Sequence, residues 1–292
     1  MTIGIIGGSG LYEMKELQSI KRRTVKTPFG NPSDKFTCGI LEGREVVFLP
    51  RHGVGHHILP SEINSRANIC GMKMLGVDRV ISVSAVGSLR AAYRPGDIVL
   101  PDQYFDRTKG SERHTFFGGG IVAHVSFGDP SCDKLRKAIA GTARRFISRE
   151  WKKDVRVKDR GVYVNMEGPA FSTRAESNVY RKLGFDIIGM TSLAEAKLCR
   201  EAGLCYQAMA MVTDYDCWHQ AREVVTLEMI IGVLHANVEL ARGIVRRLVA
   251  ELPESRDCGC GDFMKTAIVT DPSLVPPATM KRLKPIVGEF FP

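Results

Sequence analysis

The chain has 292 residues, of which 44% are hydrophobic, and a formal net charge of +9. Its length and composition allow a sizeable core, so we expect one domain over residues 1–250 and a C-terminal tail, residues 251–292, packed on that domain. Because its densest basic stretch, 144–158, alternates with apolar residues and acids as a solvated helix face does, we exclude nucleic acid as a partner.

Neither a signal peptide nor a membrane span is predicted. The N-terminus has no basic segment before its apolar run. The longest uncharged stretch near the middle, Ala202 to Thr213, is much shorter than the ~20 residues that span a bilayer. We therefore expect a cytoplasmic protein without a membrane partner.

Short apolar runs that indicate buried strands alternate with helical patterns along the chain. Strands are predicted at 2–6, 45–49, 80–86, 97–100, 161–164 and 205–212. Helices are predicted after a Ser61 cap, at 133–147 and at 227–248, and the capping boxes Thr173–Glu176 and Ser192–Glu195 predict two further helix starts. The fold class is therefore α/β, a single domain with a central mixed β-sheet flanked by helices, with ligands expected at the carboxyl ends of strands.

The first strand leads into the glycine turn Gly7-Gly8-Ser9-Gly10. This turn matches neither a dinucleotide-binding fingerprint, which needs a further glycine, nor a Walker loop, which needs Gly-Lys-Ser/Thr. Its backbone N–H groups and the Ser9 hydroxyl suit a phosphate. The alternative is an ordinary tight turn.

Arg51 and His52 follow the second predicted strand, where they place a cation and a hydrogen-bonding ring at a strand end. The guanidinium offers a planar set of donors suited to phosphate oxygens, although such an arginine also often forms a surface ion pair. The nearby His56 and His57 lack a carboxylate at helical spacing, so they predict no metal site. The next strand ends in small residues, including Ser84 and Ala85, which leave room for a ligand.

Two acids follow a strongly apolar strand, in the run from Thr213 to Trp218. Burying Asp214 and Asp216 costs free energy unless they have a partner or a chemical role. A protonated aspartic acid donates to a leaving-group nitrogen, and a second carboxylate accepts from an amino group. The alternative is a pair of surface acids that cap the following helix.

The chain has eight cysteines, six of them spread singly through apolar segments, where they are typical small core residues. Only Cys258 and Cys260 are closely spaced, and this pair is compatible with a redox-active disulfide. Because no second close pair exists, we predict no zinc site and no other metal site.

In this order the motifs resemble the methylthioadenosine phosphorylase branch of the trimeric purine nucleoside phosphorylase family. The similarity runs from residue 3 to about residue 248. It rests on seven segments in register, namely 4–10, 27–30 with 32–34, 51–53, 95–99, 167–169 with Phe171-Ser172, 189–191 and 213–218.

The resemblance implies a nucleoside phosphorylase-like fold and a reaction in which inorganic phosphate is the co-substrate and no cofactor is needed. It implies a phosphate site made of Ser9, Arg51, His52, Ser84, Ala85 and Thr191. It also implies that Met190 packs beneath the ribose and Phe171 against the base, that Asp214 serves purine N7, and that Asp216 lies nearer the 6-amino group. The family's oligomer is a trimer or a dimer of trimers.

Base preference follows from the residue types at matching positions. Ser172 and the Asp214/Asp216 pair stand where the 6-oxopurine branch has Glu and Asn, which favours adenine, whereas Gly189 is nearer to the 6-oxopurine enzymes. Leu227, Ile230 and Ile231, beside His56, are either the wall for a methylthio group or ordinary helix core. The main alternative is thus a phosphorylase for inosine, guanosine or methylthioinosine.

Further alternatives are a hydrolytic nucleosidase, in which the phosphate residues would have no purpose, and an inactive nucleoside sensor. Similarity of the tail to that of heat-stable archaeal members also implies a Cys258–Cys260 disulfide, with a second pair among Cys132, Cys199 and Cys205.

Overall fold

The computed structural model describes residues 1–8, 10–11, 13–219 and 227–290. Within these ranges, eleven strands form one mixed sheet. They are β1 (Thr2–Gly7), β2 (Gln18–Arg23), β3 (Phe36–Leu41), β4 (Arg44–Pro50), β5 (Val77–Ser88), β6 (Ile98–Val99), β7 (Gln103–Arg107), β8 (Val157–Lys158), β9 (Val162–Met166), β10 (Ile187–Gly189) and β11 (Cys205–Asp214).

The long strand β5 determines the shape of the sheet. Its first part pairs in parallel with β1 on one side, and most of its length pairs in parallel with β11 on the other. Beyond the end of β1, Gly87 and Ser88 pair antiparallel with β10. The sheet therefore branches at the carboxyl half of β5, and the carboxyl ends of β1, β4, β5 and β11 lie near one another.

Helices cover both faces of this sheet because each strand of its centre is apolar on both sides. The α-helices are α1 (Ser65–Met74), α2 (Asp133–Phe146), α3 (Arg174–Lys182), α4 (Ser192–Glu201), α5 (Leu227–Glu251) and α6 (Pro277–Val287). One core packs α2 and α5 against the sheet, and a second packs α1, α4 and α6 against the opposite face. The single α/β domain predicted from the alternating pattern is confirmed.

All six predicted strands are present. Of the five that the sequence does not reveal, β2 and β7 are largely exposed, β8 and β10 are short, and β3 is partly buried. The polar strand β2 is exposed along its whole length, and β8 and β10 have only two and three residues, so neither kind shows an apolar run.

Two of the predicted helix caps are wrong. Asn64, not Ser61, caps α1, and its side chain accepts a hydrogen bond from the Ala67 N–H at 3.1 Å. Ser192 lies inside α4, because Thr191 is the N-cap residue, so Glu195 takes no part in a capping box. The Thr173–Glu176 box of α3 is confirmed by both of its hydrogen bonds.

Residues 251–290 pack onto the body of the protein. Leu283 and Val287 of α6 and Met264 are buried in the core beneath α1 and α4. Ile268 forms an isolated β-bridge with Ala123. No helix in the described ranges is long and apolar enough to cross a membrane.

Glu201, at the end of α4, makes the stability of the fold depend on pH. Its carboxyl group is buried and accepts hydrogen bonds from the Thr115 hydroxyl and the Phe116 N–H, both at 2.7 Å. Burial raises the pKa of Glu201 from its ordinary value of 4.5 to about 7. The protonated form is therefore favoured in the folded state, and the stability it contributes is present below pH 4.5 and is lost as the pH rises through about 7.

We expect Glu201→Gln to remove this dependence, because an amide of the same shape accepts from the Phe116 N–H and donates to the Thr115 hydroxyl without ionising. The difference between the unfolding midpoints of variant and parent should grow in the variant's favour from pH 5 to pH 8, measured by thermal denaturation. Glu239→Gln, at an exposed position of α5, is the matched control and should follow the parent. A constant difference across this range would contradict the assignment.

Candidate active site

A cavity of about 470 Å³ lies at the carboxyl ends of the central strands. It is lined by the segments that follow β1, β4, β9, β10 and β11, by the carboxyl half of β5, and by one face of α5. Ten of the predicted site residues line it, namely Arg51, His52, His56, Ser84, Ala85, Phe171, Met190, Thr191, Asp214 and Asp216. The branching of the sheet thus brings these ten residues together, although they span 165 positions of the sequence.

One wall of the cavity is built on the buried ion pair between Arg51 and Glu195. The Arg51 Nε donates to Glu195 Oε1 at 2.5 Å, and both side chains are only 3% exposed. The guanidinium also donates to the Val83 carbonyl at 3.0 Å and to the Ser82 hydroxyl at 2.7 Å. Burial opposes the charge on Arg51, but Glu195 outweighs it and the pKa of Arg51 is raised. The cation is therefore fixed in place, with most of its donors already used.

Glu195 is a site residue that sequence reasoning missed, because it was interpreted as half of a capping box. Its Oε2 accepts a hydrogen bond from the Tyr206 hydroxyl at 3.1 Å. That hydroxyl lies 2.8 Å from the Ser192 Oγ, which in turn lies 2.9 Å from the Tyr104 hydroxyl. A chain of buried hydroxyl groups therefore holds the carboxylate in addition to Arg51, which also donates to Oε2 at 3.3 Å.

His52 lines the same end of the cavity as a neutral ring. Its Nδ1 lies 2.8 Å from the Ile58 carbonyl, and because a carbonyl only accepts, Nδ1 carries the proton and Nε2 is left to a ligand. Burial lowers the pKa of His52 to about 4. The ring also stacks on His56, with 4.2 Å between the centroids.

The first turn of α4 adds a helix N-terminus to this end. Thr191 is its N-cap residue, and the side chain of Thr191 makes no capping hydrogen bond. The Leu193 N–H is already bonded to Asn165 Oδ1 at 3.1 Å. The Ser84 Oγ is buried and has no hydrogen-bond partner within the described residues. The cation, the helix terminus and the hydroxyl groups together suit a bound anion, whereas Ser9, predicted for the same site, lies outside the described residues.

The other end of the cavity holds the two carboxyl groups. Asp214 Oδ2 accepts from the Thr213 hydroxyl at 2.8 Å, and Asp214 Oδ1 accepts from the Asp216 N–H at 2.7 Å. Burial raises the pKa of Asp214 and of Asp216. Asp216 adopts a left-handed backbone conformation, with φ of 51°, and its Oδ2 has no hydrogen-bond partner within the described ranges. One end of the cavity therefore suits an anion, and the other can give and accept protons.

Gly87 makes room for this pair of acids. A Cβ at Gly87 would lie 3.1 Å from Asp214 Oδ1 and 3.4 Å from Asp216 Cβ. Gly189 is restricted in a different way, since a Cβ there would lie 1.9 Å from the hydroxyl oxygen of Tyr163. Tyr163 therefore takes the space that a side chain at position 189 would need.

The apolar walls differ in part from the predicted ones. Phe171 lies at the cavity with 70% of its surface exposed. Ser172 is not among the described residues that line the cavity, and its hydroxyl instead faces the Met166 sulfur at 3.8 Å. Leu227 and Ile231, the other predicted wall residues, belong to the first turns of α5, and their side chains are not among those that the structure describes.

Leu234 and Val238 of the same helix do line the cavity, as does Leu11. They continue the spacing of 227 and 231 along one helix face, with steps of three and four residues, so the helical period could have identified them. Between them, buried Asn237 donates to the Val212 carbonyl at 3.1 Å and fixes the helix to the end of β11.

Several known proteins are similar to this chain in sequence and in structure. A family model described as the phosphorylase superfamily matches residues 2–250. An S-methyl-5′-thioadenosine phosphorylase from Koribacter versatilis is 54% identical over 289 residues, which are 99% of this chain and 96% of that protein. One from Geobacter sulfurreducens is 50% identical and covers 99% of this chain and 98% of its own length. The crystal structure of a methylthioadenosine phosphorylase from an Antarctic soil metagenomic library has a TM-score of 0.90 and 42% identity, and it covers 97% of this chain and 98% of its own.

The ion pair behind the cavity predicts a large difference between two glutamate substitutions. Glu195→Ala leaves a buried arginine without its counter-charge, so we expect the free energy of unfolding to fall by about 3–5 kcal/mol. Glu239→Ala removes the partner of Arg242 in an ion pair at the protein surface, and it should cost less than about 1 kcal/mol. Urea denaturation of both variants measures the difference, and equal losses would show that the buried pair does not support the fold.

Proposed function

This chain belongs to the phosphorylase superfamily, and we propose that it cleaves 5′-methylthioadenosine with inorganic phosphate to give adenine and 5-methylthioribose 1-phosphate. Relatives that carry this activity in their names match the chain at 54% and 50% identity over almost their whole length. The observation that carries the proposal is one cavity that has a fixed arginine and a helix N-terminus at one end and a pair of aspartates with raised pKa values at the other.

The reaction needs both ends of this cavity. When the bond between the sugar and purine breaks, positive charge develops on the sugar and negative charge on the base. Phosphate, held by Arg51, His52, Ser84 and the N-terminus of α4 at Thr191, offsets the charge on the sugar. It then attacks C1′ from the face opposite the leaving base, with inversion.

Asp214 supplies the proton for the leaving base. Burial raises its pKa and so favours the protonated form, which donates to purine N7. Asp216 Oδ2 accepts from the 6-amino group, which a 6-oxopurine lacks, and this favours adenine. Met190 packs beneath the ribose and Phe171 against the base, while Leu11, Leu234 and Val238 give the methylthio group an apolar wall.

The chemistry requires no cofactor, because phosphate is the nucleophile and the aspartates handle the proton. We also propose that the enzyme is a cytoplasmic homotrimer or dimer of trimers. The exposed apolar side chain of Phe171 at the cavity, and that of Leu183 at the end of α3, support a neighbouring subunit close to the site. Light scattering gives the mass of the assembly in solution, and a monomer would contradict this proposal.

The proposed activity is tested by incubating the purified enzyme separately with 5′-methylthioadenosine, adenosine, inosine and methylthioinosine, each with and without phosphate. Chromatography quantifies the released base. We expect adenine from methylthioadenosine only when phosphate is present. Phosphate-dependent release of hypoxanthine alone would assign the enzyme to the 6-oxopurine class, and release without phosphate would indicate a hydrolase.

Asp214→Asn should reduce kcat by a factor of about 10²–10⁴, because the amide cannot donate a proton as an acid does. The parent's kcat should fall as the pH rises through the raised pKa of Asp214, and the variant should lack this dependence. Asp154→Asn, at an exposed position paired with Arg94, is the control and should keep the parental rate. Near-parental turnover of Asp214→Asn, with an unchanged circular dichroism spectrum, would remove Asp214 from the acid role.

A further inference from the structure

Four cysteine sulfurs converge on one point at the end of the sheet that is remote from the cavity. The Sγ atoms of Cys132, Cys205, Cys258 and Cys260 all lie within 4.8 Å of one another. We propose that these four thiolates bind a zinc ion that fastens the C-terminal tail to the body of the protein. Four sulfurs at about 2.3 Å from one zinc form a tetrahedron with edges of ~3.8 Å, so the observed group needs only small adjustments.

The fold supplies these ligands from three separate segments. Cys132 is the N-cap residue of α2, Cys205 is the first residue of β11, and the tail contributes both Cys258 and Cys260. Spacing along the sequence predicted no zinc site because it revealed only the tail pair. The two single cysteines from the body complete the set, and a pattern search cannot find them without the topology.

The expected Cys258–Cys260 disulfide is not what the structure shows. All eight cysteines are unbonded, and the Cys258 sulfur lies 3.3 Å from the Cys205 sulfur. The tail turns at Gly259, and both of its thiols lie within the group that includes the two cysteines of the body. A gathering of four sulfurs matches one shared ion, whereas a disulfide involves only two of them.

Positive charge lies near these four sulfurs. The Cys132 sulfur lies at the start of α2, where helix N–H groups and the helix dipole stabilise negative charge. The buried Arg200 side chain lies close enough to Cys260 and Cys132 to interact with them electrostatically. Lys134 lies close to Cys258 and is paired with Asp257. Positive charge therefore accompanies a site that would otherwise be strongly negative.

The ligand set and its size select the metal. Four sulfur ligands in a tetrahedral arrangement are typical of zinc or of iron–sulfur centres. A multi-iron cluster spreads its thiolates around several metal atoms and sulfides, which these closely gathered sulfurs cannot surround. Zinc has no redox chemistry, and all four protein ligands leave no open position, so the site is structural.

The proposed zinc ion would connect the C-terminal tail to the start of strand β11. Cys205 begins β11, and Asp214 ends it. The same strand therefore carries the proposed metal ligand at one end and the acid of the cavity at the other. The metal holds the tail in place from the far side of the sheet and makes no contact with the reacting groups.

Metal and thiol contents of the intact enzyme test the site without using its activity. We expect about one zinc ion per chain by plasma mass spectrometry after purification in buffers free of added metal. We also expect eight titratable thiols in denaturant with a chelator and no reductant. Six or fewer thiols without zinc would overturn the proposal in favour of disulfides, and eight thiols without zinc, even after incubation with zinc chloride, would overturn it as well.

Substitutions then assign the ligands. The double variant Cys258→Ser/Cys260→Ser should retain less than about a tenth of the parental zinc, while Cys38→Ser, which changes a thiol outside the group, should retain all of it. A strong chelator should lower the unfolding midpoint of the parent and of Cys38→Ser to that of the double variant. Full zinc content in the double variant, or iron in place of zinc in the parent, would overturn the assignment.

Discussion

The buried ion pair between Arg51 and Glu195 is the constraint on which the site depends. An arginine this deeply buried is tolerated because the carboxylate compensates its charge and because a carbonyl of β5 and the Ser82 hydroxyl accept further hydrogen bonds from it. Those partners belong to β5 and α4, whereas Arg51 follows β4. The pair therefore fixes three elements relative to one another at the edge of the cavity. Its geometry is set before any ligand arrives, which is the condition for electrostatic stabilisation without reorganisation.

The branch of the sheet at β5 extends this fixed geometry to the far side of the cavity. β11 follows β5 along most of its length and delivers Asp214 beside Gly87, while β10 pairs with the end of β5 and leads into α4. The wall that carries Arg51 and the carboxyl pair on the other side of the cavity are thus both positioned by the pairing of β5. The distance between them is set by backbone hydrogen bonds, which side-chain changes affect little.

Sequence reasoning found the features that depend on local order. Apolar runs revealed the central strands, and polar residues immediately after them gave Arg51, Asp214 and Asp216, all of which line the cavity. It failed where a partner is distant in the chain. The motif Ser192–Glu195 satisfies the rule for a capping box, yet Glu195 is committed to an arginine 144 residues away. The sequence does not predict β2 for the same reason, because this exposed strand has no apolar pattern and depends on pairing with a neighbouring strand. Nor does it predict that the four cysteines lie together, since they come from separate segments.

The hydrogen bond between His52 and the Ile58 carbonyl has a consequence for the choice among tetrahedral anions. With the proton fixed on Nδ1 and the ring neutral, Nε2 offers only a lone pair. An anion that carries its own hydroxyl group, such as monohydrogen phosphate or arsenate, can donate to that nitrogen. Sulfate at neutral pH has no hydrogen to donate and would set two lone pairs against each other. A single carbonyl behind the ring thereby gives the proposed phosphate site a way to discriminate between oxyanions of nearly equal size and shape.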